Sequence, residues 1–166
     1  MTALGNIQAG GRLTAATLQQ VAPYCVIKGS DESVTSSATL QNDDALFLAV
    51  AANTSWLFDC YLDYQGGTLG SSDIKWTWAA PSGATLVYGL SQLDTSGNNE
   101  ASVSYAGSAT VTAGTNGASL RSARMYGSLI VGSTAGTLQL KWAQNTSSGT
   151  ATTVHAQSYL TLWQIS

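Results

Sequence analysis

Trp56-Leu57-Phe58-Asp59-Cys60-Tyr61-Leu62-Asp63-Tyr64 is the stretch that decides the fold class. Successive side chains of an extended strand point to opposite faces, so a period of two places Trp56, Phe58, Cys60, Leu62 and Tyr64 on one face and Asp59 and Asp63 on the other. That pattern is a half-buried β-strand. Asp73-Ile74-Lys75-Trp76-Thr77-Trp78 repeats it with Ile74, Trp76 and Trp78 inward, and Leu138-Gln139-Leu140-Lys141-Trp142 does so again. The closing run Ser158 to Ile165 carries Leu160, Leu162 and Trp163 and is apolar on both faces.

Turn residues separate these runs: Gln65-Gly66-Gly67, Pro81-Ser82-Gly83, Thr95 to Asn99, Gly114 to Gly117 and Thr134-Ala135-Gly136. Glycine, proline and asparagine at such intervals suit short antiparallel connections. The expectation is an all-β chain, a single antiparallel β-sandwich or jelly-roll-like domain of about eight to ten strands over residues 24–166. Residues 1–23 read as an N-terminal arm. In it Thr14 caps a short helix that Pro23 closes, with Leu13, Leu18 and Val21 as docking residues.

In the sandwich, Trp56, Phe58, Trp76, Trp78, Trp142, Leu160, Leu162 and Trp163 are the residues expected in the core or in a subunit interface. The doubly apolar last strand suggests an interface if it lies at a sheet edge. Burial inside the monomer is the alternative. Cys60 alternates with apolar neighbours and reads as a small buried hydrophobe, with a Cys25–Cys60 disulfide as the other possibility.

Charged residues make up only 9% of the 166 residues, against roughly 25% in an average soluble domain. Ser, Thr, Gly, Ala and Asn take their place, as suits a protein packed against copies of itself. The net charge is -3 and the six Lys and Arg are scattered, so there is no basic stripe for nucleic acid. No run approaches the ~20 apolar residues of a spanning helix, and the start lacks the features of a secretory signal. A soluble protein made in the cytoplasm is expected.

Chemistry is hard to find. His155 is the sole histidine and lies in a polar stretch, reading as a surface residue, and no serine sits in a nucleophile signature. Asp43, Asp44, Asp59 and Asp63 are the carboxylates that a glycosidase would need in pairs. Asn42-Asp43-Asp44 reads more simply as a turn before a strand Leu46 to Val50. Neither a calcium loop nor a phosphate-cradling loop is present, so no metal or cofactor is expected and the chain reads as a non-enzyme. Exposed Trp or Tyr faces would suit a sugar ring, whereas the alternation turns Trp56, Trp76, Trp78 and Trp142 inward.

Several stretches resemble a family of small virion proteins of tailed phages, particularly those of actinobacteria. They are Ala9 to Leu18 (AGGRLTAATL) with Ala22-Pro23, Lys28 to Asp44 (KGSDESVTSSATLQNDD), Leu46 to Asn53, and Gly132 to Ser148 (GSTAGTLQLKWAQNTSS) followed by a threonine-rich stretch and a closing strand. The resemblance implies a virion component, often a homotrimer with a jelly-roll-like domain, and carries no catalytic residue over. Without heptads or collagen-like triplets there is no fibre shaft. The expected role is a capsid decoration protein that stabilises the head, partnered by the major capsid protein and by itself on the capsid surface. Its arm would contact the shell through Ile7, Arg12, Leu13, Leu18 and Val21. The alternative is a host-attachment module of a head fibre or tail that binds a cell-surface glycan.

Overall fold

A computed structural model describes residues 22–117 and 119–166, with the side chains of 101–103 left aside. The expected arm helix and the arm residues Ile7, Arg12, Leu13, Leu18 and Val21 lie outside the described residues. Within them the chain is all-β, with no helix. The strands are β1 (Tyr24–Ile27), β2 (Glu32–Val34), β3 (Gln41–Val50), β4 (Ser55–Gln65), β5 (Ile74–Ala79), β6 (Thr85–Leu93), β7 (Asn99–Ala106), β8 (Val111–Ala113), β9 (Arg121–Ile130), β10 (Gly136–Gln144), β11 (Thr152–Val154) and β12 (Tyr159–Gln164).

Two antiparallel sheets result. The larger has eight strands, in the order β1-β12-β4-β9-β6-β7, with β11 bridging β4 to β2. The smaller runs β3-β10-β5-β8. Among the described residues twelve strands stand where eight to ten were expected, and the surplus is in β1, β2, β8 and β11, each only three or four residues long. Such pieces are too short to display a period of two.

The core lies between the sheets. Trp56, Phe58, Cys60, Leu62 and Tyr64 of β4 face Trp76 and Trp78 of β5 and Leu138, Leu140 and Trp142 of β10, all buried. Leu160 and Leu162 of β12 join them. Aromatic edges meet faces: Phe58 lies 5.5 Å from Trp78 at 68° and Tyr64 lies 6.2 Å from Trp76 at 67°. Each such pair adds about 0.5–1.5 kcal/mol beyond the area it buries. Gly127 makes a further contact possible. It stands between Phe58 and Tyr88 in the sheet, and without a side chain there the two rings approach to 6.2 Å. A Cβ on Gly127 would fall 2.1 Å from the Val87 carbonyl oxygen, so the close passage of backbone requires glycine.

Asp43 corrects the reading of a turn before the strand. β3 begins earlier, at Gln41, and Asp43 to Leu46 bulge out of register opposite Leu140, between the pairs Phe47–Gln139 and Asn42–Lys141. The buried carboxylate of Asp43 holds the bulge, its Oδ1 accepting the backbone N–H of Ala45 at 2.9 Å and of Leu46 at 2.8 Å. Its Oδ2 accepts Trp142 Nε1 at 3.2 Å and Lys28 Nζ at 3.0 Å. Lys28 is itself buried and also reaches Glu32 at 2.6 Å. Burial alone would lower the Lys28 ammonium, but its bonds to Glu32 and Asp43 outweigh that and raise its pKa above the usual lysine value.

Of the two readings of the last strand, burial inside the monomer holds for Leu160 and Leu162, since β12 pairs with β1 on one side and β4 on the other. Cys25 and Cys60 are free thiols: Cys60 is buried, while Cys25 is exposed and lies against Thr161.

Candidate functional surface

The outward face of the larger sheet carries the chemistry that the core does not use. Because register is continuous across β12, β4, β9 and β6, and from β6 to β7 as far as Leu90, residues on that face line up in rows perpendicular to the strands. One row reads Trp163, Leu57, Ser128, Val87, Ala106. The next reads Thr161, Asp59, Tyr126, Gly89, Ser104, and the third Tyr159, Tyr61, Arg124, Ser91. Chemistry changes along the strands, from apolar in the first row to aromatic and ionic in the third.

The apolar end is exposed to an unusual degree. Leu57, Val87 and Tyr126 are each nearly half exposed, at 47%, 45% and 46%, Trp163 is 38% exposed and neighbouring Ile130 57%. Among the described residues nothing covers them. Leu57, Val87, Tyr126 and Trp163 border a shallow depression of about 850 Å³ whose floor includes Gly89. The Tyr126 ring lies over Gly89, where an added Cβ would come within 3.3 Å of it. Large contiguous apolar patches on a soluble sheet mark contact surfaces, and Trp and Tyr are the side chains enriched in them.

At the polar end the Tyr61 and Tyr159 rings stack at 5.8 Å and 19°. Beside them Arg124 donates to both carboxylate oxygens of Asp59, with Nε at 3.2 Å and 3.1 Å. This forked bond raises the Arg124 pKa further above its usual value. The pair ties β4 to β9 on this face.

The carboxylates considered for catalysis are dispersed. Asp43 is consumed by its buried network, and Asp59 by Arg124. Asp63 lies four residues beyond Asp59 on β4, roughly 13 Å away at strand rise, farther than the ~6.5–9.5 Å of an inverting glycosidase pair. Among the described residues no three His, Cys, Asp or Glu side chains gather in a metal-holding group. His155 is half-buried rather than free on the surface. Its Nδ1 lies 3.0 Å from Asp31 Oδ2, and the Ala156 amide, followed by His155, holds the Asp31 carboxyl below its ordinary range.

Of the residues singled out from sequence, Trp56, Phe58, Trp76, Trp78, Trp142, Leu160 and Leu162 lie in the core and Trp163 lies on the outer face. Leu57, Val87, Tyr126 and Ile130, which complete the patch, were missed. A signal did exist: Leu57 and Tyr61 share the face that Asp59 and Asp63 had marked as polar.

No protein-family model matches the chain, and no curated protein matches it. Among solved structures, the tripod from the baseplate of bacteriophage Tuc2009 is similar with a TM-score of 0.42 and 11% identity, over 96% of this chain and 73% of that one. The structure of infectious bursal disease virus strain Gx is similar with a TM-score of 0.27 and 10% identity, over 87% of this chain and 39% of that one. At such scores the chain paths differ as much as they agree, and the likeness assigns no role.

Proposed function

We propose that this chain is a structural protein of a tailed-phage virion, a decoration protein that binds the outside of the head as an oligomer and stabilises it. The observation that carries the reading is the apolar row Trp163–Leu57–Val87 with Ile130, exposed on a rigid sandwich whose sequence has 9% charged residues. Burying such a patch against another subunit gains about 25 cal/mol per Å² of apolar surface. Weak contacts repeated over an assembled shell add through avidity. The sequence resemblance to small phage virion proteins points the same way, and so does the dispersal of the carboxylates.

A second reading has one observation in its favour. Tyr126 laid over Gly89, with Trp163 lining the same depression, presents aromatic surface in a shallow shape suited to stacking on a sugar ring. This would make the chain a host-attachment module on head or tail. Titration of purified protein against capsids lacking it separates the two. Saturable binding that is lost when Leu57 and Val87 are both changed to Asp supports decoration. Failure of the unaltered chain to bind capsids, together with binding to host cell walls, overturns it in favour of attachment.

A further inference from the structure

We propose that the cleft where β6 and β9 part is a binding site for a small hydroxylated anion, a uronate or a sugar phosphate, with the anionic group on Arg121 and a neighbouring hydroxyl donating to Gln92. The site is distinct from the apolar patch and does not depend on what that patch docks against. β6 and β9 pair only as far as Ser91 opposite Arg124. Beyond that point β9 continues beside β4 to Arg121, whereas β6 continues beside β7 to Leu93. The divergence opens a cleft of about 340 Å³ lined by Gln92, Asn99, Arg121, Ser122 and Arg124. That volume is at the small end of ligand pockets, ~300–1,000 Å³, and suits a single sugar.

Two observations say what the cleft takes. Gln92 is 5% exposed, and its Nε2 donates to Glu100 Oε2 at 2.7 Å and to the Thr112 carbonyl at 2.9 Å. Both partners only accept, so the amide is locked in one orientation and Oε1 cannot trade places with Nε2. That Oε1 is buried and accepts no hydrogen bond from the protein, so it is an acceptor that a hydroxyl would satisfy. Arg121 supplies the charge. Its Nε is buried without an acceptor, and among the described residues no carboxylate lies within ion-pair distance of it. A chain with only six Lys and Arg has placed two of them, Arg121 and Arg124, at this cleft. Arg124 is already bound to Asp59, so Arg121 is the cation left to meet an anion.

The test uses the full chain at low salt, titrated by calorimetry or amide chemical shift with glucuronate, glucose 6-phosphate, glucose and inorganic phosphate. Glucuronate or glucose 6-phosphate is expected to saturate, with shifts centred on Ser91–Leu93 and 120–124. Glucose and inorganic phosphate should bind about tenfold or more weakly, since each satisfies only one of the two orphaned groups. Arg121→Gln, checked for an unchanged melting curve, should weaken the binding by about tenfold or more, as should Asn99→Asp at the exposed rim. No saturable binding by any of the four compounds would mean that water fills the cleft and would overturn the proposal. Inorganic phosphate binding as tightly as the sugars would overturn the role of Gln92, and binding unchanged by both variants would place the ligand elsewhere.

Discussion

The two faces of the larger sheet are built from the same strands by the same alternation, yet they do different physical work. Inward, Trp56, Phe58, Tyr88 and Leu162 are covered by the smaller sheet. Outward, Leu57, Val87 and Trp163 of one row and Tyr126 of the next form an exposed apolar patch with nothing over it among the described residues. The first face is the core, and an exposed apolar patch like the second is the kind of surface that marks a contact site. Polar groups show the same contrast: Lys28 and Asp43 are locked inside, while Arg124 and Asp59 lie on the surface.

The sharpest break of the comparison is inside. Lys28→Met leaves the Asp43 carboxylate buried without its cation and should cost about 3 kcal/mol or more in urea unfolding. The same site makes stability pH-dependent. Lys28 has a raised pKa when folded, so its contribution is fully present below pH 10.5 and is lost as pH rises through the higher folded value. Burial raises Tyr64 and Tyr88 too, and their hydroxyls act in the same direction. Urea midpoints should therefore fall between pH 9 and pH 12, and a flat profile would sink this account.

Next comes the glycine pair. Gly127→Ala drives a methyl into the Val87 carbonyl and should cost about 2 kcal/mol, whereas Gly89→Ala meets only the movable Tyr126 ring and should cost less than about 1 kcal/mol. Equal effects would mean the outer face is packed as tightly as the core. Arg124→Ala removes an ion pair whose arginine side chain is 60% exposed and should change stability by less than about 1 kcal/mol, with the effect screened by salt. Smallest of all, Leu57→Ser with Val87→Thr should shift the unfolding free energy by only about 0.5 kcal/mol. Sedimentation and capsid binding should nonetheless show association lost. A large loss of stability would place these residues in the core and remove the distinction between the faces.

Much of this architecture was legible in the chain. The alternation in Trp56 to Tyr64 placed β4 with its buried face correctly, and Ile74, Trp76 and Trp78 followed the same rule. What misled was local polarity. Asn42-Asp43-Asp44 looks like a turn because nothing nearby in sequence reveals that Trp142, 99 positions away, will donate to Asp43. Asp59 and Asp63 made one face look solvated and drew attention from Leu57 and Tyr61 on the same face. The cleft at Gln92 was invisible, since it exists only where two strands part company.

The sequence by itself determined the class: a β-sandwich with a Trp-rich core and no catalytic signature. Period-two alternation is a property of each strand's own backbone and needs no knowledge of its neighbours. Only the tertiary structure decided strand order. With it came the covering of β12 on both sides, the pairing of Lys28 with Asp43, the union of Leu57, Val87, Tyr126 and Trp163 in one patch, and the placing of Gln92 and Arg121 along one cleft. The reason is that an apolar residue looks the same in sequence whichever sheet face it occupies. Whether it is covered depends on which distant strand folds over it.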